Sequence, residues 1–141
     1  MIDLKRWLHE LEAQERTERL RAAEKLSDYV EFEDPGEYDS VDVIQKLISA
    51  AVSESDYEIQ ETLLNGMANA FTKHKYNDKV DLTPLMESTG KLDKDSLLHA
   101  IDIARLSGER KYVIYIRPLT RHKDANVRQT AILAVSELEV D

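Results

Sequence analysis

Apolar residues recur along this chain in sets that share one helical spacing. Each set has three positions, separated by four and then three residues: Ala22, Leu26, Tyr29; Leu63, Met67, Ala70; Leu97, Ile101, Ala104; and Ala131, Val135, Leu138. Successive sets are offset by 41, 34 and 34 residues. This spacing places the three side chains of a set on one face of a helix. A period in this range, with two helices in each unit, is typical of an α-solenoid.

Polar segments divide each repeat unit into two helices. In the first unit an apolar stripe from Leu4 to Leu11 precedes the polar AQERTE, and the first set follows it. Pro35 and Gly36 stop the next helix, and SESD and SGER end later ones. We therefore predict an all-α protein: a short right-handed α-solenoid of about four antiparallel helix pairs, in one domain over residues 1–141. Truncating Leu63, Met67 or Val135 to alanine is expected to cost about 2 to 4 kcal/mol.

The segment YVIYI, from Tyr112 to Ile116, is rich in β-branched and aromatic residues. On propensity alone it would form a strand between Gly108 and Pro118. The repeat places it instead in the first helix of the last unit. In that unit Pro118-Leu119 corresponds to Pro84-Leu85 one unit earlier, and each proline lies 13 residues before its apolar set. We therefore predict that the segment is helical.

The last unit resembles the HEAT-repeat family. The stretch DANVRQTAILAVSEL looks like that family's second-helix signature, with a turn aspartate, an apolar residue, an arginine and two further apolar positions at Asp124, Val127, Arg128, Ala131 and Leu138. Pro118 matches the proline often found in the family's first helix. Residues 118–138 carry the resemblance. Elsewhere Arg19 matches, Glu18 and Asp93 stand where an apolar residue belongs, and Asp56, Ile59 and Gln60 replace the arginine. The resemblance implies a helical-repeat fold used mainly as a binding scaffold.

Composition restricts the class of protein. The 141 residues suit one domain, and the absence of cysteine excludes disulfides and thiolate zinc sites. No stretch reaches the roughly 18 consecutive apolar residues of a membrane span, and the opening MIDLKRWLHE lacks the apolar core of a secretory signal. We expect a cytoplasmic protein without a membrane partner.

Charge is unevenly distributed along the chain. The formal net charge is −9. The first 70 residues have 7 basic and 17 acidic side chains, whereas the remaining residues have 12 and 11. Residues 28–42 contain seven acids and no base. Such a surface repels phosphate backbones and attracts cations, so we expect a basic protein partner and no nucleic acid.

No set of residues points to catalysis. The four histidines are scattered along the chain, and the serines and glycines form neither a nucleophile elbow nor a phosphate loop. His99 and Asp102 are three residues apart and share a helix face, but two such groups do not make a catalytic site. We predict no catalytic residues, no metal site and no cofactor.

Two groups of residues are candidates for partner binding. The first is an acidic segment with aromatic residues: Glu31, Phe32, Glu33, Asp34, Glu37, Tyr38 and Asp39. The second is a polar ribbon along the second helices of two units: Glu58, Asn65, Asn69, His99 and Asp102. The alternative for the segment is a solvated loop that keeps the protein soluble, and the alternative for the ribbon is an ordinary exposed helix face.

Three functional hypotheses remain at this stage. In size, charge and fold class the chain is similar to the bacterial immunity proteins that block cationic nuclease toxins, which implies an inhibitor that covers a basic partner. The second hypothesis is an adaptor or assembly subunit. Under either hypothesis we expect a monomer or a weak dimer. The third is an enzyme similar to the HEAT-like DNA glycosylases, which need a basic concave face that the acidic first half disfavours.

Overall fold

The computed structural model describes residues 3–32, 40–76 and 78–140, and within these ranges it contains helices and no strand. The helices are α1 (Leu4–Glu10), α2 (Arg16–Phe32), α3 (Ser40–Ser53), α4 (Tyr57–Lys73), α5 (Thr83–Met86), α6 (Lys94–Ser107), α7 (Val113–Ile116) and α8 (Ala125–Leu138). Short 3-10 segments lie at Thr89–Lys91, Arg110–Tyr112 and Arg117–Arg121. The prediction of an all-α protein is confirmed.

Four helices pack side by side in chain order and form a row. Helix α2 contacts α4, α4 contacts α6, and α6 contacts α8. Three further helices pack on this row, α1 on α2, α3 on α4, and α7 with the following 3-10 segment on α8, while α5 packs on α3. Buried apolar residues of all these helices except α1 form one core. The arrangement is compatible with a helical repeat.

Aspartate side chains begin three helices of the row. The carboxylate of Asp56 accepts hydrogen bonds from the backbone N–H groups of Glu58 and Ile59 at the start of α4. Asp93 and Asp124 act in the same way at the starts of α6 and α8. Each cap satisfies N–H groups that have no partner within the helix, which fixes where the helix begins. Helix α6 ends at Gly108, whose φ of 71° favours glycine.

The segment Tyr112–Ile116 is helical, as predicted from the repeat. Tyr112, Val113 and Ile116 are buried, whereas Ile114 is 71% exposed, which is the pattern of a helix and not the alternation of a strand. The phenolic oxygen of Tyr112 accepts a hydrogen bond of 2.9 Å from the backbone N–H of Leu82. This bond ties the last unit to the start of α5, and tertiary contact thus overrides the strand propensity of the segment.

Helix α4 is the most enclosed helix of the row. Its residues Leu63 and Met67 are fully buried, as the sequence predicts. At Gly66 it crosses α2 closely, since a Cβ atom added there would lie 2.3 Å from Oγ of Ser27. Val135 of α8 packs against the core but is only half-buried, which is less than its position in the apolar set predicts. Glycine at position 66 thus sets the distance between α2 and α4.

Helix α1 is the least enclosed. It has no fully buried side chain, and its apolar residues Leu4, Trp7, Leu8 and Leu11 are half-buried against the core. Within the three described ranges, no helix has the length and apolar character needed to cross a membrane.

The capping carboxylates make stability depend on pH. The hydrogen bond from Arg16 lowers the pKa of Asp56 below its ordinary value, and the backbone N–H of Val127 lowers the pKa of Asp124. A carboxyl whose pKa is lower in the folded state stabilises the fold above its unfolded pKa of about 4, and this stabilisation is lost as pH falls further. Urea unfolding midpoints should therefore be nearly constant above about pH 5 and fall below about pH 4. The variant Asp56→Asn should show a shallower acid decline, and an unchanged decline would contradict this account.

Candidate functional site

One surface of the molecule is formed by the sides of α2, α4 and α6 that point away from the core. On each helix four residues at i, i+4, i+7 and i+11 lie along this side, which is one helical stripe. These stripes are Thr17, Arg21, Glu24, Asp28 on α2; Glu58, Thr62, Asn65, Asn69 on α4; and Asp95, His99, Asp102, Leu106 on α6. Because the three helices pack side by side, the stripes form one surface, which we call the outer face.

The α2 part of the outer face has acids without a partner. Glu24 and Asp28 are exposed, and neither has a hydrogen bond or ion pair to any residue that the structure describes. Arg21 is the one base of this stripe and is also exposed. The two carboxylates are therefore available to a cation from outside. Asp28 belongs to the acidic stretch of residues 28–42 identified from the sequence, whereas Glu24 was missed, although its spacing from Asp28 on α2 is the signal that would have found it.

The α4 part of the outer face has an ion-paired side chain at its start and exposed amide side chains further along. At its start, the Glu58 carboxylate is ion-paired with Arg16, which also binds Asp56 at 2.6 Å. Further along, Asn65 and Asn69 are exposed, and neither amide has a partner within the described part of the chain. The predicted α4 residues thus share one stripe, but only the two asparagines are free to form new hydrogen bonds.

In the α6 part of the outer face, His99 and Asp102 contact other residues and not each other. The Nε2 atom of His99 lies 3.4 Å from Oε2 of Glu61 on α4, so the imidazole bridges two helices. Asp102 lies 3.7 Å from Arg105, and Arg105 lies 3.6 Å from Glu137 on α8. Asp95 is exposed and has no partner among the described residues. His99 therefore acts in a contact between helices, Asp102 pairs within α6, and Asp95 is the acid of this stripe that has no partner among the described residues.

The predicted acidic segment is described only at its beginning. Glu31 is half-buried, and its carboxylate lies 3.2 Å from Nζ of Lys73. Phe32 is 67% exposed, and the same Nζ lies 4.1 Å from its ring centroid, in a cation–π contact. The backbone carbonyl of Glu31 is 3.0 Å from Nε2 of His74. The remaining residues of the segment lie outside the described residues: Glu33, Asp34, Glu37, Tyr38 and Asp39.

The two predicted groups do not meet at one point. Glu31 and Phe32 lie beside the C-terminal end of α4, whereas Glu58 lies in its first turn. At 1.5 Å per residue, the 15 residues from Glu58 to Lys73 span roughly 22 Å. The polar ribbon therefore runs along the outer face, and Glu31 and Phe32 lie near the end of α4 opposite to Glu58.

Two features were missed from the sequence. One is an open groove of about 870 Å³ between α1 and α3, with Leu8, Leu11 and Ala50 among the residues that line it. The other is an uncharged exposed stripe on α8. No group of three or more His, Asp or Glu side chains suited to a metal ion occurs in the described part of the chain.

Comparisons with known proteins identify the fold alone. No protein-family model matches the chain, and no curated protein matches it. Among solved structures, it is similar to the crystal structure of an engineered protein, with 15% sequence identity and a TM-score of 0.67. The match covers 98% of this chain and 63% of that one, so the chain spans less than two thirds of the length of the engineered protein.

Proposed function

We propose that the chain is a protein-binding module with a HEAT-like architecture, a short right-handed solenoid of four antiparallel helix pairs. The contacts of α2, α4, α6 and α8 in chain order support this architecture, as do the aspartate caps at the starts of α4, α6 and α8. In such an arrangement the row of second helices forms the binding surface, which here is the outer face.

The observation that carries the proposal is the set of acids on the outer face that have no partner among the described residues. Glu24, Asp28 and Asp95 are exposed, while most other acids near them are ion-paired within the chain. Free carboxylates on a surface of net negative charge accelerate the association of a basic protein and orient it. The amides of Asn65 and Asn69 between them add hydrogen-bonding groups.

The role proposed for this binding is inhibition of a basic partner, such as a toxin with a nuclease-like domain. An enzyme that acts on a phosphate backbone exposes a cationic active surface, because it must bind the phosphates. A rigid acidic surface that covers these cations blocks the substrate. The module acts by contact alone, without a catalytic step, metal or cofactor.

An adaptor or assembly subunit is the second candidate. The exposed apolar side chains of the last unit favour it, because Ile114, Ile132 and Leu133 are suited to an uncharged partner surface. The two functions differ in their response to salt, since binding by the outer face weakens as salt rises and apolar contact does not.

Charge reversal on the outer face tests the proposal. In the variant Glu24→Lys, Asp28→Lys, Asp95→Lys, binding to the basic partner should weaken by more than tenfold, because attraction becomes repulsion. The three side chains are exposed and have no partner in the part of the chain that the structure describes, so the melting curve should stay near that of the wild type. Partners would be captured from a lysate at low salt, eluted at high salt, identified by mass spectrometry and measured by calorimetry.

A matched variant separates position from net charge. Glu12→Lys, Asp78→Lys, Glu87→Lys changes the charge equally at three exposed acids that are not part of the outer face; Glu12 lines the groove between α1 and α3. This variant should bind the same partner with nearly wild-type affinity. The proposal would be contradicted if the outer-face variant bound the partner as tightly as the wild type, or if both variants lost the same amount of affinity.

A further inference from the structure

The last helix of the row, α8, exposes the side through which the earlier helices contact the next one. Three side chains of α2 contact α4 or the loop just before it: Arg16, Arg19 and Ser27. The offsets between the apolar sets place Ala125, Arg128 and Ser136 at the corresponding positions of α8. These three residues therefore lie on the side of α8 that faces away from α6, at the end of the row.

Position 132 lies on the same side of α8. Its counterparts on the other three helices of the row are Ala23, Leu64 and Leu98. Ala23 and Leu64 are fully buried and Leu98 is half-buried, whereas Ile132 is 54% exposed. An apolar side chain thus stands exposed at a position that is covered in the rest of the row. We call the following four residues the end face of α8: Ala125, Arg128, Ile132 and Ser136.

The guanidinium of Arg128 is arranged like that of Arg19. Nη1 of Arg19 donates to the backbone carbonyls five and six residues earlier, at 3.0 and 3.1 Å, and Nη1 of Arg128 does the same at 3.0 and 2.9 Å. Nε and Nη2 of Arg19 bind the carboxylate of Glu54 in the loop before α4. Lys94, at the corresponding position of α6, binds the carboxylate of Asp124 before α8 at 3.2 Å. Nε and Nη2 of Arg128 have no such partner among the described residues.

We propose that the end face of α8 binds a helical hairpin of another protein, and that a carboxylate in the loop of this hairpin pairs with Arg128. Continuity of the row supports this occupant, because α3 and α4 contact α2 as such a hairpin would contact α8. Charge supports it as well, since the two nitrogens of Arg128 match the two oxygens of a carboxylate. Ser136 corresponds to Ser27, where α4 approaches closely at Gly66, so the second partner helix has a small residue opposite Ser136.

A second copy of this chain does not meet these requirements. Its first hairpin has Ala13 at the position of Glu54, so the carboxylate for Arg128 is missing there. It also has the exposed Lys25 at the position of Gly66, which prevents a close approach. The occupant is therefore a different protein. The inference goes beyond the proposed function, because the end face binds an acidic hairpin whereas the outer face binds a basic protein.

A hairpin of the chain itself serves as the probe. A synthetic peptide of residues 40–73 contains α3, the loop with Glu54, and α4 with Gly66. Added to the isotopically labelled full chain, it should shift the NMR signals of the end face, including the Nε–H signal of Arg128. The expected Kd lies between about 10 μM and 1 mM. A peptide that leaves these signals unchanged would overturn the proposal.

Two neighbouring residues of α8 provide a matched pair of variants. Ile132→Lys should weaken peptide binding by more than tenfold, because it places a charge in an apolar contact. Leu133→Lys is the control: Leu133 is 50% exposed, and its counterparts Glu24 and Asn65 lie on the outer face. Binding by this control should be unchanged. Equal losses in the two variants, or a larger loss for Leu133→Lys, would show that the end face is not the binding surface.

Removal of the guanidinium tests the pairing with a carboxylate. Gln60 corresponds to Arg128 on α4 and donates a hydrogen bond to the backbone carbonyl of Glu54, so glutamine fits this position. Arg128→Gln should weaken binding of the peptide about fivefold, and it should not change binding of a peptide with Glu54→Gln. An effect of the same size on both peptides would contradict the pairing.

Sedimentation of the purified chain tests the other occupant. The wild type should stay monomeric up to about 100 μM, because its own first hairpin does not fit the end face. Self-association that Ile132→Lys abolishes would assign the end face to a second copy and overturn the proposal. None of these measurements uses the acids of the outer face, so their outcome is separate from that of the proposed function.

Discussion

Replacing Gly66 by alanine is expected to lower the free energy of unfolding by about 2 to 3 kcal/mol. The new Cβ would lie 2.3 Å from Oγ, 2.4 Å from Cβ and 2.8 Å from Cα of Ser27. A change of side-chain rotamer can move only the Oγ atom, so α2 and α4 must separate. The expected effect is therefore opposite to that at an ordinary helical glycine, where replacement by alanine stabilises the helix. Urea denaturation followed by circular dichroism measures it.

Two further variants test this explanation of Gly66→Ala. Gly90 has no atom within 4 Å of the position of an added Cβ, so Gly90→Ala should stay within about 0.5 kcal/mol of wild type. Ser27→Gly removes the Oγ and Cβ atoms that clash, so the double variant should lose less stability than the two single variants added together. Equal losses at Gly66 and Gly90 would show that the α2–α4 crossing is not the cause.

Truncation of the core is expected to have the second large effect, and the structure ranks the positions. Leu63→Ala should cost about 3 to 4 kcal/mol, because the fully buried side chain leaves a cavity between packed helices. Val135→Ala should cost less than half as much, because Val135 is half-buried and water can fill the space. The same denaturation measurement decides between this ranking and the equal cost that the repeat pattern predicts. An equal loss at both positions would mean that α8 packs more tightly than the structure indicates.

The helices could be predicted because their signals are local. The periodic apolar sets act within one helix, and they lie on α2, α4, α6 and α8. The capping aspartates and Gly108 are local signals too, but only Asp124 was identified from the sequence, as a turn residue. The helical state of Tyr112–Ile116 needed the repeat register as well, since its own composition favours a strand. Local rules therefore predicted the type and order of the helices.

The sequence predicted less well which surface side chains are paired with other helices and which are not. Glu58 belongs to the predicted ribbon, but Arg16, 42 residues earlier, neutralises it, and Glu61 likewise engages His99. Which acids remain free depends on such pairs between helices, and the sequence pattern does not contain them. The same is true of Gly66, whose role depends on Ser27, and of Val135, whose exposure depends on α8 lying at the end of the row.

Because each helix of the row packs on the next helix of the row, whose apolar set follows 34 to 41 residues later, the molecule assembles from contacts between neighbouring repeat units and not between its two ends. Low contact order of this kind is associated with folding in microseconds to milliseconds. It also means that an end of the row can unfold locally while the middle stays folded. Helix α1, which packs on the first helix of the row and has no fully buried side chain, should unfold first. Amide hydrogen exchange would then be fastest in α1 and slowest in α4, with protection increasing from the ends of the row toward its centre.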